Sequence, residues 1–262
     1  MKKLTLTILL IATLSTTACS EQKINEWACG HEMGQTRCSN LANKAYHNKE
    51  YNKLKKLLEI QANYGNAEAQ ERLGLLYDTD LLGKKDYQQA VYWLQKAAEQ
   101  GRKHAQFSLG DKYQNGLGVE QNYTKALELY RKSAEQGYAN AQLYIGVMYD
   151  KGLGVEQDYK QALEWYQKAA EQGNANAQTL IGLFYTEGFG VEQNYELALQ
   201  WYEKAVNQEF APAQVVIGEM YKKGLGVEKN LIKAQEYFEK GCNSGSKSGC
   251  KQLETVKKEI SN

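Results

Sequence analysis

Gly74, Gly110, Gly146, Gly182 and Gly218 stand 36 residues apart. Ala90, Ala126, Ala162, Ala198 and Ala234 keep the same interval, as do Tyr77, Tyr113, Tyr149, Tyr185 and Tyr221. Self-similarity at this period restricts a chain to a solenoid or array, in which each unit buries its apolar face only against its neighbours. Five full units run over 66–101, 102–137, 138–173, 174–209 and 210–245. Tyr51 and Gly65 continue the interval backwards from Tyr87 and Gly101, so 38–65 is expected to be a degenerate N-terminal half repeat. A linker, 19–37, precedes it and carries Cys29, and 246–262 is expected to be a C-terminal capping helix.

The third unit shows the internal plan. ANAQLYIGVMY places Ala141, Ile145, Met148 and Tyr149 at helical spacing. DKGLGVEQD is a glycine loop, and YKQALEWYQKAAEQG is a second amphipathic run that closes on Gly173. One proline and 23 glycines suit a chain of helices joined by glycine turns. A glycine inside a helix costs about 1 kcal/mol against alanine. Five in one column therefore imply a close approach of two helices, with the Ala90 column as the expected small partner.

AQLYIGVMYDKGLGVEQDYKQALEWYQKAAEQG resembles the Sel1-like repeat, a relative of the tetratricopeptide repeat, and the resemblance covers 66–245. It implies an all-α fold, a right-handed α/α superhelical solenoid of helix-loop-helix repeats used for protein contacts. The first unit departs from the pattern, because DTDLLGKKDY lacks the loop glycines found at Gly116 and Gly118.

The N-terminus has another character. MKK followed by the uncharged run LTLTILLIATLSTTA is too short to span a bilayer and is expected to be a signal peptide, residues 1–18. LSTTACS resembles a bacterial lipobox with Cys19 as the lipidated residue, although Thr16 stands where an aliphatic residue is usual. Ordinary cleavage after Ala18 is the alternative. The expected location is the periplasm, with outer-membrane anchoring if Cys19 carries lipid, since Ser20 follows it rather than aspartate.

Five cysteines leave an odd thiol. With Cys19 lipidated, four remain in two close pairs, Cys29 with Cys38 and Cys242 with Cys250, and an oxidising compartment favours bridging both. For the first pair a metal site including His31 is the alternative, but a fourth ligand is not evident. In the repeat register Cys242 takes the place of Ala98 and Ala170, and Cys250 that of Gln106 and Gln178. This spacing resembles the cysteine-rich Sel1 proteins, in which such a bridge recurs in every repeat. Here it occurs once, where the last repeat lacks a neighbour.

Signals for chemistry are sparse. Only His31, His47 and His104 are present, with no GxSxG, HExxH or P-loop. GLGV lacks the third glycine and the preceding strand of a phosphate cradle and reads as a turn. Ser244 and Lys247 form SxxK, without the SDN or KTG elements that accompany it in penicillin-recognising enzymes. The 32 basic and 31 acidic residues give no basic face for nucleic acid. The expectation is a protein that is not an enzyme, with no cofactor and no metal, and with membrane contact only through an N-terminal lipid.

The first helices carry one face that keeps the repeat and one that does not. Positions 69, 73, 76 and 77 are expected in the core. The columns beginning at 71, 75 and 78 vary, and Phe107, Leu143, Val147, Leu183 and Val215 would form an apolar strip with Asp111 beside it. These six are the expected partner-binding residues, on what the resemblance makes the concave face. The expected role is an envelope adaptor or regulator that binds a protein partner. One alternative is an immunity protein neutralising a periplasm-delivered phospholipase-type toxin, and a remoter one is β-lactam binding or hydrolysis.

Overall fold

A computed structural model describes residues 35–261. Cys19 and Cys29, and with them the signal peptide, the lipobox and His31, lie outside the described residues. Among these there are thirteen α-helices and no strands: α1 Gln35–His47, α2 Tyr51–Asn63, α3 Ala67–Tyr77, α4 Tyr87–Glu99, α5 Lys103–Asn115, α6 Tyr123–Glu135, α7 Ala139–Lys151, α8 Tyr159–Glu171, α9 Ala175–Glu187, α10 Tyr195–Val206, α11 Ala211–Lys223, α12 Leu231–Asn243 and α13 Lys247–Ser261. The chain divides into two compact units, the first ending at Gln121 and the second beginning at Asn122. Within each unit every helix packs on the next in sequence, the all-α repeat architecture. The segment 38–65 is where the sequence predicts a degenerate half repeat. It contains α2 and most of α1, a full helix pair whose first member starts inside the expected linker.

The ends of the helices follow from local chemistry. Asp86, Asn122, Asp158, Asn194 and Asn230 precede the second helices, and each side chain accepts a backbone N–H of the first turn. Gly116, Gly152, Gly188 and Gly224 end the first helices in the left-handed conformation. The loop then closes on the tyrosine column, with Asp158 N donating to Tyr149 O at 3.0 Å and Asn194 N to Tyr185 O at 2.8 Å. The second loop glycine makes room for a neighbouring repeat. A Cβ on Gly154 would stand 2.8 Å from the Tyr123 carbonyl carbon. The divergent first loop reaches the same closure by another route. A 3-10 turn at Asp80–Leu82, capped by Thr79, brings Asp86 N to Tyr77 O at 2.8 Å.

The helix-interior glycines do mark a close approach, but the Ala90 column is not the main partner. A Cβ on Gly146 would stand 2.5 Å from the Tyr166 ring, one on Gly182 2.6 Å from Tyr202, and one on Gly218 2.6 Å from Phe238. In the first repeat Leu94 fills that place over Gly74 at 2.7 Å. Each glycine thus gives up its side chain to seat a large one, and Tyr166, Tyr202 and Phe238 are at most 1% exposed. The alanines pack behind them, fully buried.

A buried glutamine column joins three of the repeats to the helix before them. Gln70 Nε2 donates to Ala62 O at 2.9 Å, and Gln106 to Ala98 O and Gln178 to Ala170 O at 3.3 Å. In three repeats the side-chain oxygen of the column glutamine is filled from the end of the second helix. Gln100 Nε2 donates to Gln70 Oε1 at 2.7 Å, Gln172 to Gln142 at 2.6 Å and Gln208 to Gln178 at 2.9 Å. At the C-terminal end the place of the glutamine–carbonyl bond is taken by a disulfide between Cys242 and Cys250, which ties α13 to α12. Cys38 is buried in α1 and is itself disulfide-bonded.

Candidate interaction surface

The three variable columns of the first helices differ in depth. Column 71 lies deepest. Glu71 is 6% exposed and accepts a two-pronged bond from Arg102, at 3.0 and 3.1 Å. Leu143 is buried among Ala162, Tyr166, Ala170 and Ile181. Val215 is half-buried against the cluster of Ala234, Phe238 and Val256. Leu143 therefore belongs to the core rather than to an exposed strip, because its column faces the second helix of its own repeat as well as the next repeat. Val147 is half-buried on the same cluster, and Phe107 is also half-buried. Asp111 is half-buried and accepts from Lys112 Nζ at 3.2 Å and Asn115 Nδ2 at 2.7 Å.

Column 78 supports the packed rings. Asp150 Oδ2 lies 3.5 Å from the Tyr166 hydroxyl. Thr186 Oγ1 donates to Gly182 O at 2.9 Å, which leaves its lone pair for the Tyr202 hydroxyl at 3.2 Å. Burial pushes the Tyr202 phenol up to about 12 and also raises Tyr166 and Asp150. Where the packed side chain has no hydroxyl, the column is used otherwise. In the repeat where Leu94 is the packed side chain, Asp78 holds Lys112 Nζ at 2.7 Å, and in the repeat of Phe238, Lys222 holds Glu259 at 2.8 Å.

Column 75 is the one that opens outward. Leu183 is 38% exposed and Leu75 is 36% exposed. Leu183 lies in a groove of about 240 Å³ between α9 and α11, with Thr186, Tyr202 and Leu225 in its walls and Glu187, Glu219 and Lys223 around it. Of the six expected partner-binding residues, only Leu183 combines an apolar side chain with an open position. In the first unit a groove of about 320 Å³ holds Leu75 with Tyr46, Arg72 and Leu81. Tyr46 and Leu81 were not anticipated. The missing loop glycines of the first repeat were the available signal, because DLL puts a leucine into the 3-10 turn there.

These surfaces offer apolar contact and scattered hydrogen bonds. Among the described residues no group of three His, Cys, Asp or Glu could hold a metal ion, and no helix is long and apolar enough to cross a membrane. Ser244 ends α12 and Lys247 begins α13, both exposed, with no hydrogen bond between them.

The Sel1 repeat family model matches residues 67–101, 103–138, 139–174, 175–210 and 211–246. A Sel1 repeat protein from Oxalobacter formigenes is 33% identical, covering 83% of this chain and 89% of its own, with a TM-score of 0.77. A protective antigen present in uropathogenic Escherichia coli strains is 39% identical over 76% of this chain, with a TM-score of 0.70, and the match spans 43% of that antigen. An immunity protein from Pseudomonas aeruginosa is 26% identical, covering 70% of this chain and 66% of its own, with a TM-score of 0.50. No curated protein matches the sequence.

Proposed function

This chain belongs to the Sel1 repeat family, and from that premise we propose that it is a non-catalytic scaffold of the bacterial envelope that binds a protein partner through its first helices. Sel1 repeats generally mediate protein–protein contact, and the fold here is of that kind. The observation that carries the reading is Leu183, an exposed apolar side chain in a groove, on a frame whose other columns are committed to packing. The N-terminal sequence supports export to the periplasm and a lipid on Cys19. With lipid on Cys19, Ser20 in the next position supports retention at the outer membrane.

The test is capture on the immobilised chain 20–262, disulfides intact, from envelope extract and from lysates that contain candidate toxins. A stoichiometric protein retained by the native chain and lost on Leu183→Asp supports the reading. No partner on either column overturns it.

A second reading rests on the Pseudomonas aeruginosa relative, an immunity protein. Under it the partner is a toxin delivered to the periplasm, of the phospholipase type. Co-expression that rescues growth against such a toxin, and fails with Leu183→Asp, separates a toxin antagonist from an envelope adaptor.

A further inference from the structure

The glutamine relay is missing at Gln214. In three other repeats the side-chain oxygen of the column glutamine accepts the amide of a glutamine thirty positions later, at 2.6–2.9 Å. Thirty positions after Gln214 stands Ser244, whose side chain is too short to reach. Gln214 is 4% exposed, and its Oε1 is buried with no hydrogen-bond partner. A buried acceptor left unpaired is destabilising. A second observation coincides with the first. Gln214 lines a cavity of about 560 Å³ together with Ser244, Asn243, Lys240 and Glu209. Neither Leu183 nor the α9–α11 groove takes part.

We propose that this cavity is a binding site for a primary carboxamide, the side chain of a glutamine or asparagine supplied from outside the chain. The chemical class follows from the protein itself, which places such an amide on the equivalent oxygen three times. The entering N–H₂ donates to Gln214 Oε1 as Gln172 does to Gln142. The rim then offers Lys240 as a donor to the carboxamide oxygen and Glu209 as an acceptor for its second N–H. A carboxylate in the same pose would present lone pairs to Gln214 Oε1 and repel it, so the site discriminates glutamine from glutamate.

The experiment uses the chain 20–262 with its disulfides intact and ¹⁵N-detected NMR. The probes are free L-glutamine, capped Gly-Gln-Gly and capped Gly-Glu-Gly. Saturable shifts at the Gln214 side-chain amide and the Ser244 backbone are expected with a glutamine probe and not with the glutamate peptide. Response to the capped peptide assigns the source as a protein partner, and response to the free amino acid alone assigns a small ligand. Ser244→Gln restores the residue of the other repeats and should weaken binding at least tenfold while the fold is kept or stabilised. Three outcomes overturn the proposal: no saturable shift, equal response to glutamate, or undiminished binding by a folded Ser244→Gln. A bound water that no probe displaces counts with the first. Because the cavity and the groove share no lining residue, failure here leaves the groove reading intact, and loss of the groove reading leaves this site intact.

Discussion

Cys242 and Cys250 are joined, Cα to Cα 4.5 Å, across the same eight-residue separation at which Gln106 donates to the Ala98 carbonyl. The covalent bond replaces a hydrogen bond at equivalent repeat positions. The change comes after the last of the five matched repeats, where α13 packs on α12. The disulfide is therefore a covalent staple of α13 to α12.

Removing it should loosen α13 selectively. Closure of a loop of about nine residues is worth about 2.5 kcal/mol, so Cys242→Ser with Cys250→Ser should lose roughly that amount. Cys242→Ala with Cys250→Gln rebuilds the residues of the other repeats and should recover about 1 kcal/mol. Hydrogen exchange resolves where the loss falls. Unchanged protection of α13 in the serine variant would show that the bond is not a staple for that helix.

Gly182 tests the seating of the rings. A Cβ there would lie 2.6 Å from Tyr202, which is buried and cannot retreat. Gly182→Ala should destabilise by about 1–3 kcal/mol, despite the helix propensity that alanine adds. Adding Tyr202→Leu should relieve the clash, since Leu94 fills this place in the first repeat. Additive losses in chemical denaturation of the double variant would refute a shared contact.

Much of this fold was legible because a repeat writes the same message five times. The helix pair, the loop glycines and the core columns all recur at one interval, so each repeat checks the others. The partner of the interior glycine was misread because spacing shows which positions recur, not which face each other across two helices. Column identity at 166, 202 and 238 supplied the ring, but only the geometry placed it over the glycine. The binding surface was read less well for a physical reason. Exposure of Leu143 and Leu183 depends on which neighbouring helix covers them, and both are simply apolar residues in the sequence. One is core and the other is open.

That difference yields a paired prediction. Leu183→Asp should leave stability within about 0.5 kcal/mol, because the side chain is already exposed, and should abolish retention of the partner. Leu143→Ala should cost about 2–5 kcal/mol as a buried truncation, and should weaken binding only as far as it unfolds the chain. Thermal melts and capture on the same variants separate the two. Loss of binding by a fully folded Leu143→Ala would return that residue to the interface.

The buried phenols give the fold an alkaline limit. Burial raises Tyr202 to about 12, while a tyrosine in the unfolded chain ionises near about 10. Between those values the unfolded chain has released its proton and the folded chain has not. The unfolded state then binds fewer protons, so stability falls as pH rises. The contribution is complete below pH 10 and is lost as pH climbs through about 12. Tyr166 is raised as well, first by burial and then by the Asp150 carboxylate, and acts in the same direction. Denaturant midpoints measured from pH 8 to 12 should therefore decline. In Tyr202→Phe, which copies Phe238 over Gly218, the decline should be shallower, and absorbance at 295 nm should show no tyrosine ionising late at that site. Identical slopes in the two proteins would mean that the Tyr202 hydroxyl ionises in the folded state as readily as in the unfolded chain, and that it is not sealed beneath Thr186.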